Sequence, residues 1–258
     1  MASGLGVPHA YSDRSIVFQG HSMRRPGRVF LRILLAILVL VALFGAFWFG
    51  LVPQRYSPFA PITLAERPSW FVDFRLAALR SDPALCRAVL REPHITATPI
   101  PDNAIRNGCG WVNAVRVGSV GGAELGAAQL TCETAAGLAL WMEHEVQPLA
   151  MAAFGSRVVG LDDMGTYACR NIVGNKKWAM MRSQHARANA VDIGGFRLES
   201  GQHISVARDW KGHDREARFL HEVHARACRY FRVAIGPDYN AAHWNHFHYD
   251  RGLFTRCE

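Results

Sequence analysis

The chain has 258 residues, and 50% of them are hydrophobic, which is enough for one substantial domain with appendages. The net charge of +8 is divided between two parts of the chain. Residues 1–52 carry five arginines against Asp13, and residues 53–258 carry 24 basic and 20 acidic residues. Because the basic excess is not gathered in one stretch, the composition argues against a nucleic-acid-binding protein.

The N-terminal part predicts a single-pass membrane protein. Residues 1–28 are polar and end in an arginine-rich segment, which is typical of a disordered cytoplasmic tail. Residues 29–52 predict a transmembrane anchor, since residues 33–52 contain no charge and would span about 30 Å as a helix. A cleaved signal peptide is the alternative, but the long apolar run and the lack of an Ala-x-Ala site favour an uncleaved anchor. The preceding arginines predict a cytoplasmic N-terminus at the inner membrane and a periplasmic C-terminal domain.

Four prolines in residues 53–69 predict a stiff linker that lifts the domain, residues 70–258, away from the bilayer. The pattern of the domain predicts a small α+β fold with a mainly antiparallel sheet and flanking helices. The predicted helices cover residues 71–79 and residues 83–90 after a capping oxygen in Ser81-Asp82. A long helix capped by Thr131 is expected to run to about residue 154 with an irregularity before Pro148, and a further helix begins at Asp214. The predicted strands cover residues 109–120, 158–159, 166–169, 190–198, 202–207 and a final strand with His246 and His248; residues 92–108 are expected to form a loop.

All six cysteines follow the apolar segment, which predicts disulfides in an oxidising compartment. Without a Cys-x-x-Cys pair, a cysteine zinc site is not expected. Six cysteines allow fifteen pairings, and we expect one pair in particular, Cys228 with Cys257. The cysteines are Cys86, Cys109, Cys132, Cys169, Cys228 and Cys257.

Two motifs that resemble metal or catalytic sites are interpreted as structural features instead. The tetrapeptide His221-Glu222-Val223-His224 is one residue shorter than the zinc-binding His-Glu-x-x-His motif, so it predicts a solvated helix surface. The adjacent carboxylates Asp162 and Asp163 predict a solvated turn between two short strands.

A metal site is predicted by two other stretches. Asp192 lies in an apolar run, where an unpaired carboxylate is costly to ionise unless a cation is present. His246 and His248 are two residues apart, so in a strand both imidazoles face the same side. Two nitrogens and one carboxylate are usual protein ligands of catalytic zinc. We therefore expect His185, Asp192 and His248 to bind zinc. His246 would lie beside the metal, either as a proton acceptor or as a group that stabilises the charge developing in the transition state.

The motif Ser-x-His-x(6)-Asp with a late His-x-His resembles the zinc peptidases of bacterial cell walls, including D-Ala-D-Ala carboxypeptidases, lysostaphin-type endopeptidases and penicillin-insensitive murein endopeptidase. Residues 86–257 more closely resemble the bacterial extensin-like C-terminal domain family. Ala188 departs from the usual glycine of the peptidase pattern, and Asn245 from the frequent Asp of the family. The matching residues are Tyr167-Ala-Cys-Arg-Asn171, Ser183-Gln-His185, Asp192-Ile-Gly-Gly-Phe196, Ile204-Ser-Val206, Asp209-Trp210, Ala227-Cys228, Gly236-Pro-Asp-Tyr-Asn240 and His243-x-x-His246-Phe-His248.

The resemblance implies a zinc-dependent peptidase or amidase that acts on peptidoglycan peptides. His243 is a second candidate for the role given to His246. Arg170 and Arg187 are expected to bind a substrate carboxylate, with a structural ion pair as the alternative for each, and Ser183 is expected at the same site. A non-catalytic envelope protein that binds peptidoglycan or a partner, and keeps a structural metal, is the competing hypothesis. A fourth protein ligand would favour that hypothesis.

Overall fold

A computed structural model describes residues 26–258, so most of the predicted tail, residues 1–28, lies outside the described part. The first unit contains helix α1, Pro26–Trp48. Its segment Gly27–Trp48 is long and apolar enough to cross a membrane, judged by length and composition. The predicted N-terminal apolar helix is therefore confirmed, and it ends four residues before the expected boundary at residue 52.

The second unit, Val52–Glu258, is an α+β domain with a mixed, mostly antiparallel sheet. The strand order is β1-β4-β5-β6-β7-β10-β9-β11, with β8 paired to β7, and β2 and β3 form a separate pair. Only the β5·β6 and β9·β11 pairs of the described strands are parallel. The strands are β1 Ile95–Pro99, β2 Asn103–Arg106, β3 Cys109–Trp111, β4 Ala114–Val120, β5 Ala123–Thr131, β6 Val158–Gly165, β7 Ala190–Leu198, β8 His203–Ser205, β9 Val233–Ile235, β10 Phe247–Asp250 and β11 Arg256–Cys257.

Helices cover one side of this sheet and form the core with it. At the centre, the ring of Trp141 lies 5.2 Å from that of Tyr249, and its Nε1 donates to the Val223 carbonyl at 2.9 Å. The helix that begins after Asp214 is confirmed, because the Asp214 carboxylate accepts from Ala217 N–H and caps it. The helices are α2 Val72–Ala78, α3 Pro83–Val89, α4 Cys132–Trp141, α5 Gln147–Phe154, α6 Val206–Asp209 and α7 Arg215–Ala227, and a π-helical turn, Met142–Val146, joins α4 to α5.

The expectation of a loop at residues 92–108 is wrong, because this stretch contains β1 and β2. Proline is excluded from central strands but tolerated at a sheet edge, and β1, which ends at Pro99, is an edge strand. The expected strand at residues 109–120 is interrupted where Asn113 has a φ of 51°. It leads through a two-residue Gly121-Gly122 turn into β5, which the sequence analysis missed.

Four further expectations need correction. The stretch with Asp162 and Asp163 is not a turn, because β6 runs through both residues, and residues 166–169 are not a strand. The strand expected at residues 202–207 ends at Ser205, and α6 begins at the next residue. The Asp209 carboxylate accepts from Ser205 N–H and so stabilises this change from strand to helix. Thr131 precedes α4 without capping its backbone; its hydroxyl instead bonds to Asn189 Oδ1 at 2.8 Å.

Part of the segment expected to be a linker packs onto the domain. Ile62 and Leu64 are buried in the core, and Arg67 forms an ion pair with Glu145 at 2.7 Å. Arg75 donates from its Nε to the Ala60 carbonyl at 2.9 Å. The folded unit thus begins before residue 70.

Disulfides account for all six cysteines. Cys228–Cys257, the expected pair, joins the end of α7 to β11, and this expectation is confirmed. Cys86–Cys132 joins α3 to α4, and Cys109–Cys169 joins β3 to the segment that follows β6. The domain is therefore cross-linked at both ends of its sequence and in the middle.

Candidate metal centre

The pairing of β7 with β10 brings the central residues of the site together. Asp192 and His248 are direct cross-strand partners in this antiparallel pair. Their neighbours Val191, Ile193, Phe247 and Tyr249 belong to the hydrophobic core, so Asp192 and His248 face the opposite side of the sheet. The alternation of β10 thus separates core residues from site residues.

His185 reaches the same point from a short 3-10 helix, Gln184–Arg187. The Ser183 hydroxyl accepts from His185 N–H and caps this helix, while Ala188 ends it in the left-handed region with a φ of 52°. This conformation favours glycine, so Ala188 holds a backbone position that is more strained with a side chain than without one.

Three side-chain atoms form a compact triangle. His185 Nε2 lies 3.1 Å from Asp192 Oδ1 and 3.0 Å from His248 Nδ1, and His248 Nδ1 lies 2.9 Å from Asp192 Oδ1. All three residues are buried. In the described part of the chain, these residues form the one group of three or more His, Cys, Asp and Glu ligands close enough to share an ion.

The protons of this triangle cannot satisfy all three contacts. If both imidazole nitrogens donate to Asp192, the two N–H groups oppose each other at 3.0 Å. If neither is protonated, two lone pairs face each other and Asp192 receives no proton from them. A cation among the three atoms removes the conflict, and zinc bond lengths correspond to donor separations of about 3.3 Å in a tetrahedral site. The donor set therefore fits zinc.

Asp250 lies behind His248 and was missed by the sequence analysis. Its Oδ2 accepts from His248 Nε2 at 3.1 Å, and its Oδ1 accepts from Gly252 N–H at 2.8 Å. Such a carboxylate fixes the tautomer in which the opposite nitrogen, Nδ1, carries the ligand lone pair. The signal was the spacing, since residues 248 and 250 of one strand face the same side.

The electrostatics of the triangle reflect these contacts. Burial alone would raise the pKa of Asp192, but hydrogen bonds from His185 and His248 hold it well below the usual range. Burial would lower the pKa of His248, but its bonds to Asp192 and Asp250 raise this pKa to about 9. A cation that binds here must therefore displace a proton from His248 below that pH.

His246 and His243 flank the triangle. His246 precedes β10 rather than belonging to the strand, and its Nε2 lies 3.7 Å from Asp192 Oδ1. The other ring nitrogen, Nδ1, is 2.9 Å from Asn245 Oδ1, so the amide oxygen accepts its proton and leaves a lone pair on Nε2. His243 similarly donates from Nδ1 to Asn240 Oδ1 at 2.8 Å. Burial lowers the pKa of His246, and burial with neighbouring imidazoles lowers that of His243 to about 4.

A cavity of about 290 Å³ adjoins His243, His248 and Asp250. Its walls are mainly apolar, and Ser183 lies in them while also capping the 3-10 helix. Arg170 also lines this cavity. The apolar and aromatic wall residues are Ile172, Val173, Trp178, Met181, Val233, Ile235, Tyr239, Leu253 and Phe254.

Other candidate residues lie outside this arrangement. Arg187 lines a different cavity, and its Nε donates to the Gly108 carbonyl at 2.9 Å. His221 bonds to the Trp210 carbonyl, but His224 is buried beside Tyr249, so the tetrapeptide is only partly a solvated surface. Asp163 lies beside β7, and burial together with the charge of Asp192 raises its pKa.

Fold and site define this protein as an α+β domain with a buried His-Asp-His centre beside an apolar cavity. Comparison with family models matches residues 84–258 to the family described as extensin-like protein C-terminus. This match covers well over half of the chain, so the chain belongs to that family. Neither the comparison with curated proteins nor that with solved structures gave a significant match.

Proposed function

We propose that this protein is a zinc-dependent peptidase or amidase that acts on peptidoglycan peptides from an anchor in the inner membrane. The observation that carries the proposal is the triangle of His185, Asp192 and His248, whose donor atoms converge within 3.1 Å of one another. The adjoining cavity offers a substrate room beside this centre. The resemblance to cell-wall peptidases supplies the substrate class.

The three residues would hold zinc, which would act as a Lewis acid on a scissile carbonyl and on an attacking water. His246 is positioned to accept the proton of that water, because Asn245 orients its ring with the Nε2 lone pair directed away from the amide. His243 is the second candidate for this role or for stabilising a developing negative charge. Arg170, which lines the cavity, would bind a carboxylate of the peptide.

The number of ligands supports an enzyme over a protein with a structural metal. Catalytic zinc sites usually keep one position for water or substrate, whereas structural sites have four protein ligands. Within the described residues, the group close enough to share an ion has three side chains, and His243 is not among them. Disulfides and the apolar α1 support the periplasmic placement, with the N-terminus in the cytoplasm.

The decisive experiment is digestion of purified peptidoglycan by the full chain in detergent, with released muropeptides analysed by mass spectrometry. Fragments should appear with zinc and disappear with a chelator or with His248→Ala. His221→Ala is the matched control, because it removes a histidine outside the centre, and it should retain activity. If folded, zinc-loaded protein releases no fragment, the non-catalytic binding protein becomes the better hypothesis.

A further inference from the structure

An exposed group of aromatic side chains lies near the start of the folded unit. Trp70 is 90% exposed, Phe59 is 80% exposed and Phe74 is 58% exposed. Large apolar groups that are exposed together usually mark a surface that contacts a protein or a membrane. We call this group the aromatic patch; its members are Tyr56, Phe59, Trp70, Phe71 and Phe74.

Helix α2 shows why the patch is unusual. Its buried face carries Val72 and Leu76, which pack into the domain core. Phe74 lies on the exposed face, where a water-facing helix normally has polar residues, and Phe71, the residue just before the helix, is exposed as well. Phe74 therefore lies exposed beside the charged Asp73, and packing into the core does not explain it.

Arg75 joins the two segments that form the patch. It lies in α2, and its side chain donates to the backbone carbonyls of Ala60 and Pro61, with the Ala60 contact at 2.9 Å. The Ser69 hydroxyl, beside Trp70, contacts the Arg55 carbonyl. The exposed rings of both segments consequently belong to one part of the domain surface.

The patch follows closely on the apolar helix in the chain. Helix α1 ends at Trp48, and the folded unit begins at Val52. Tyr56 is eight residues after Trp48, so at most about 28 Å of fully extended chain separates them. Residues Gln54–Tyr56 form a 3-10 helix, which shortens this reach further. If α1 spans a bilayer, Tyr56 therefore stays near its surface.

The composition of the patch favours lipid as its occupant. Tyrosine and tryptophan are enriched where a membrane meets water, because their rings are apolar and their polar groups can remain hydrated. Arg55 lies at its edge, with the guanidinium carbon 4.7 Å from the centroid of the Tyr56 ring. Such a cation suits the anionic headgroups of a phospholipid surface.

We propose that the aromatic patch docks the folded unit onto the phospholipid surface, with its rings at the level of the headgroups. The proposal rests on the membrane insertion of α1 put forward under the proposed function. It reverses the role expected for residues 53–69, which would hold the domain at the bilayer instead of lifting it away. The enzyme would then act on peptidoglycan strands that approach the membrane.

The test uses the full chain in vesicles of phosphatidylethanolamine and phosphatidylglycerol. Because all six cysteines form disulfides, Phe74→Cys provides a single thiol for a nitroxide label. The label should be relaxed by lipid-soluble oxygen and shielded from a water-soluble nickel chelate. Carbonate extraction in parallel reports whether α1 is inserted, so a failed anchor is distinguished from failed docking.

Lys211→Cys is the control position. Lys211 is exposed and lies shortly before the first residue of α7. The other end of α7 is close to the patch, because Arg229, just after that end, contacts the carbonyl of Pro68. The 13 residues of α7 span about 20 Å, so the control label should remain accessible to the nickel chelate.

Two outcomes would overturn the proposal. Equal nickel accessibility at both positions in carbonate-resistant protein would mean that the patch faces water. Spin–spin broadening at position 74, which disappears on dilution with unlabelled protein, would identify a second copy of the chain as the occupant. Shielding at position 74 alone, without broadening, is the result that the proposal requires.

Discussion

Asp250 offers the sharpest test of the metal centre, because its two oxygens have different partners. Oδ2 accepts from His248 Nε2 at 3.1 Å, and Oδ1 accepts from Gly252 N–H at 2.8 Å. Asp250→Asn keeps the shape of the side chain but provides only one acceptor oxygen. If that oxygen stays on Gly252, the amide NH₂ group faces His248 Nε2. This favours the tautomer with a proton on Nδ1, the proposed ligand atom.

The magnitude follows from the bond that is lost. Metal binding at His248 Nδ1 requires a proton on Nε2, and in the variant that proton would face the NH₂ group of the substituted side chain without an acceptor. Rotation of the amide restores that acceptor but removes the one for Gly252. A hydrogen bond to a charged group is worth about 1.5–3 kcal/mol, so zinc affinity should fall by about ten- to a hundredfold.

Competition with a chromophoric chelator measures this affinity directly. Asp238→Asn is the matched control, since it removes one exposed negative charge near the site in sequence without changing a contact of His248. It should bind zinc about as tightly as the native protein. A native-like affinity for Asp250→Asn, in a protein with an unchanged melting temperature, would refute the tautomer argument.

Other consequences can be measured separately. Zinc binding should release about one proton below pH 9, because the pKa of His248 is raised to about 9. For the same reason, zinc affinity should rise with pH up to that value. Calorimetry in buffers of different ionisation enthalpy measures the release, and a value of zero at about pH 7 would contradict the expectation. Glu133→Ala should lower the free energy of unfolding by about 1.5–3 kcal/mol, because Arg251, 1% exposed, loses one of its two carboxylate partners at 2.7 Å and keeps only Asp73. A denaturant titration that shows a loss under about 0.5 kcal/mol would contradict this. Replacing both Cys109 and Cys169 with Ser should cost about 4 kcal/mol by the same titration, because the two cysteines are 60 residues apart in the chain; an unchanged midpoint would argue against this cross-link.

Periodicity predicted the elements whose local pattern agrees with their final environment. The strand at residues 190–198 and the helix after Asp214 are examples, since an apolar run and a capped amphipathic pattern each have one natural interpretation. β1 was not predicted, because Pro99 indicates a loop unless the strand is known to lie at the edge of a sheet. The full length of β6 was not predicted, because two adjacent carboxylates indicate a turn. In the structure the Asp162 carboxylate contacts His203 on β8.

The site shows the same division. The apolar run around Asp192 and the two-residue spacing of His246 and His248 predicted a shared site with His185, and the structure brings His185, Asp192 and His248 together. Arg187 looked equivalent to Arg170 in sequence, but only the tertiary structure shows that Arg187 bonds to the Gly108 carbonyl while Arg170 lines the cavity. The choice between such residues depends on long-range packing, which a local pattern does not contain.

The register of β7 with β10 connects stability to chemistry. Phe247 and Tyr249 anchor β10 in the core, and this fixes His248 opposite Asp192 on the other face. A slip of one residue would put the histidine into the core and an aromatic ring into the centre, so the hydrophobic core selects against it. The core thus holds the strand-borne donor atoms together, which is the preorganisation that the proposed zinc centre would require. Core packing and three disulfides already fix the domain, so a zinc ion that served only to stabilise the fold would add little.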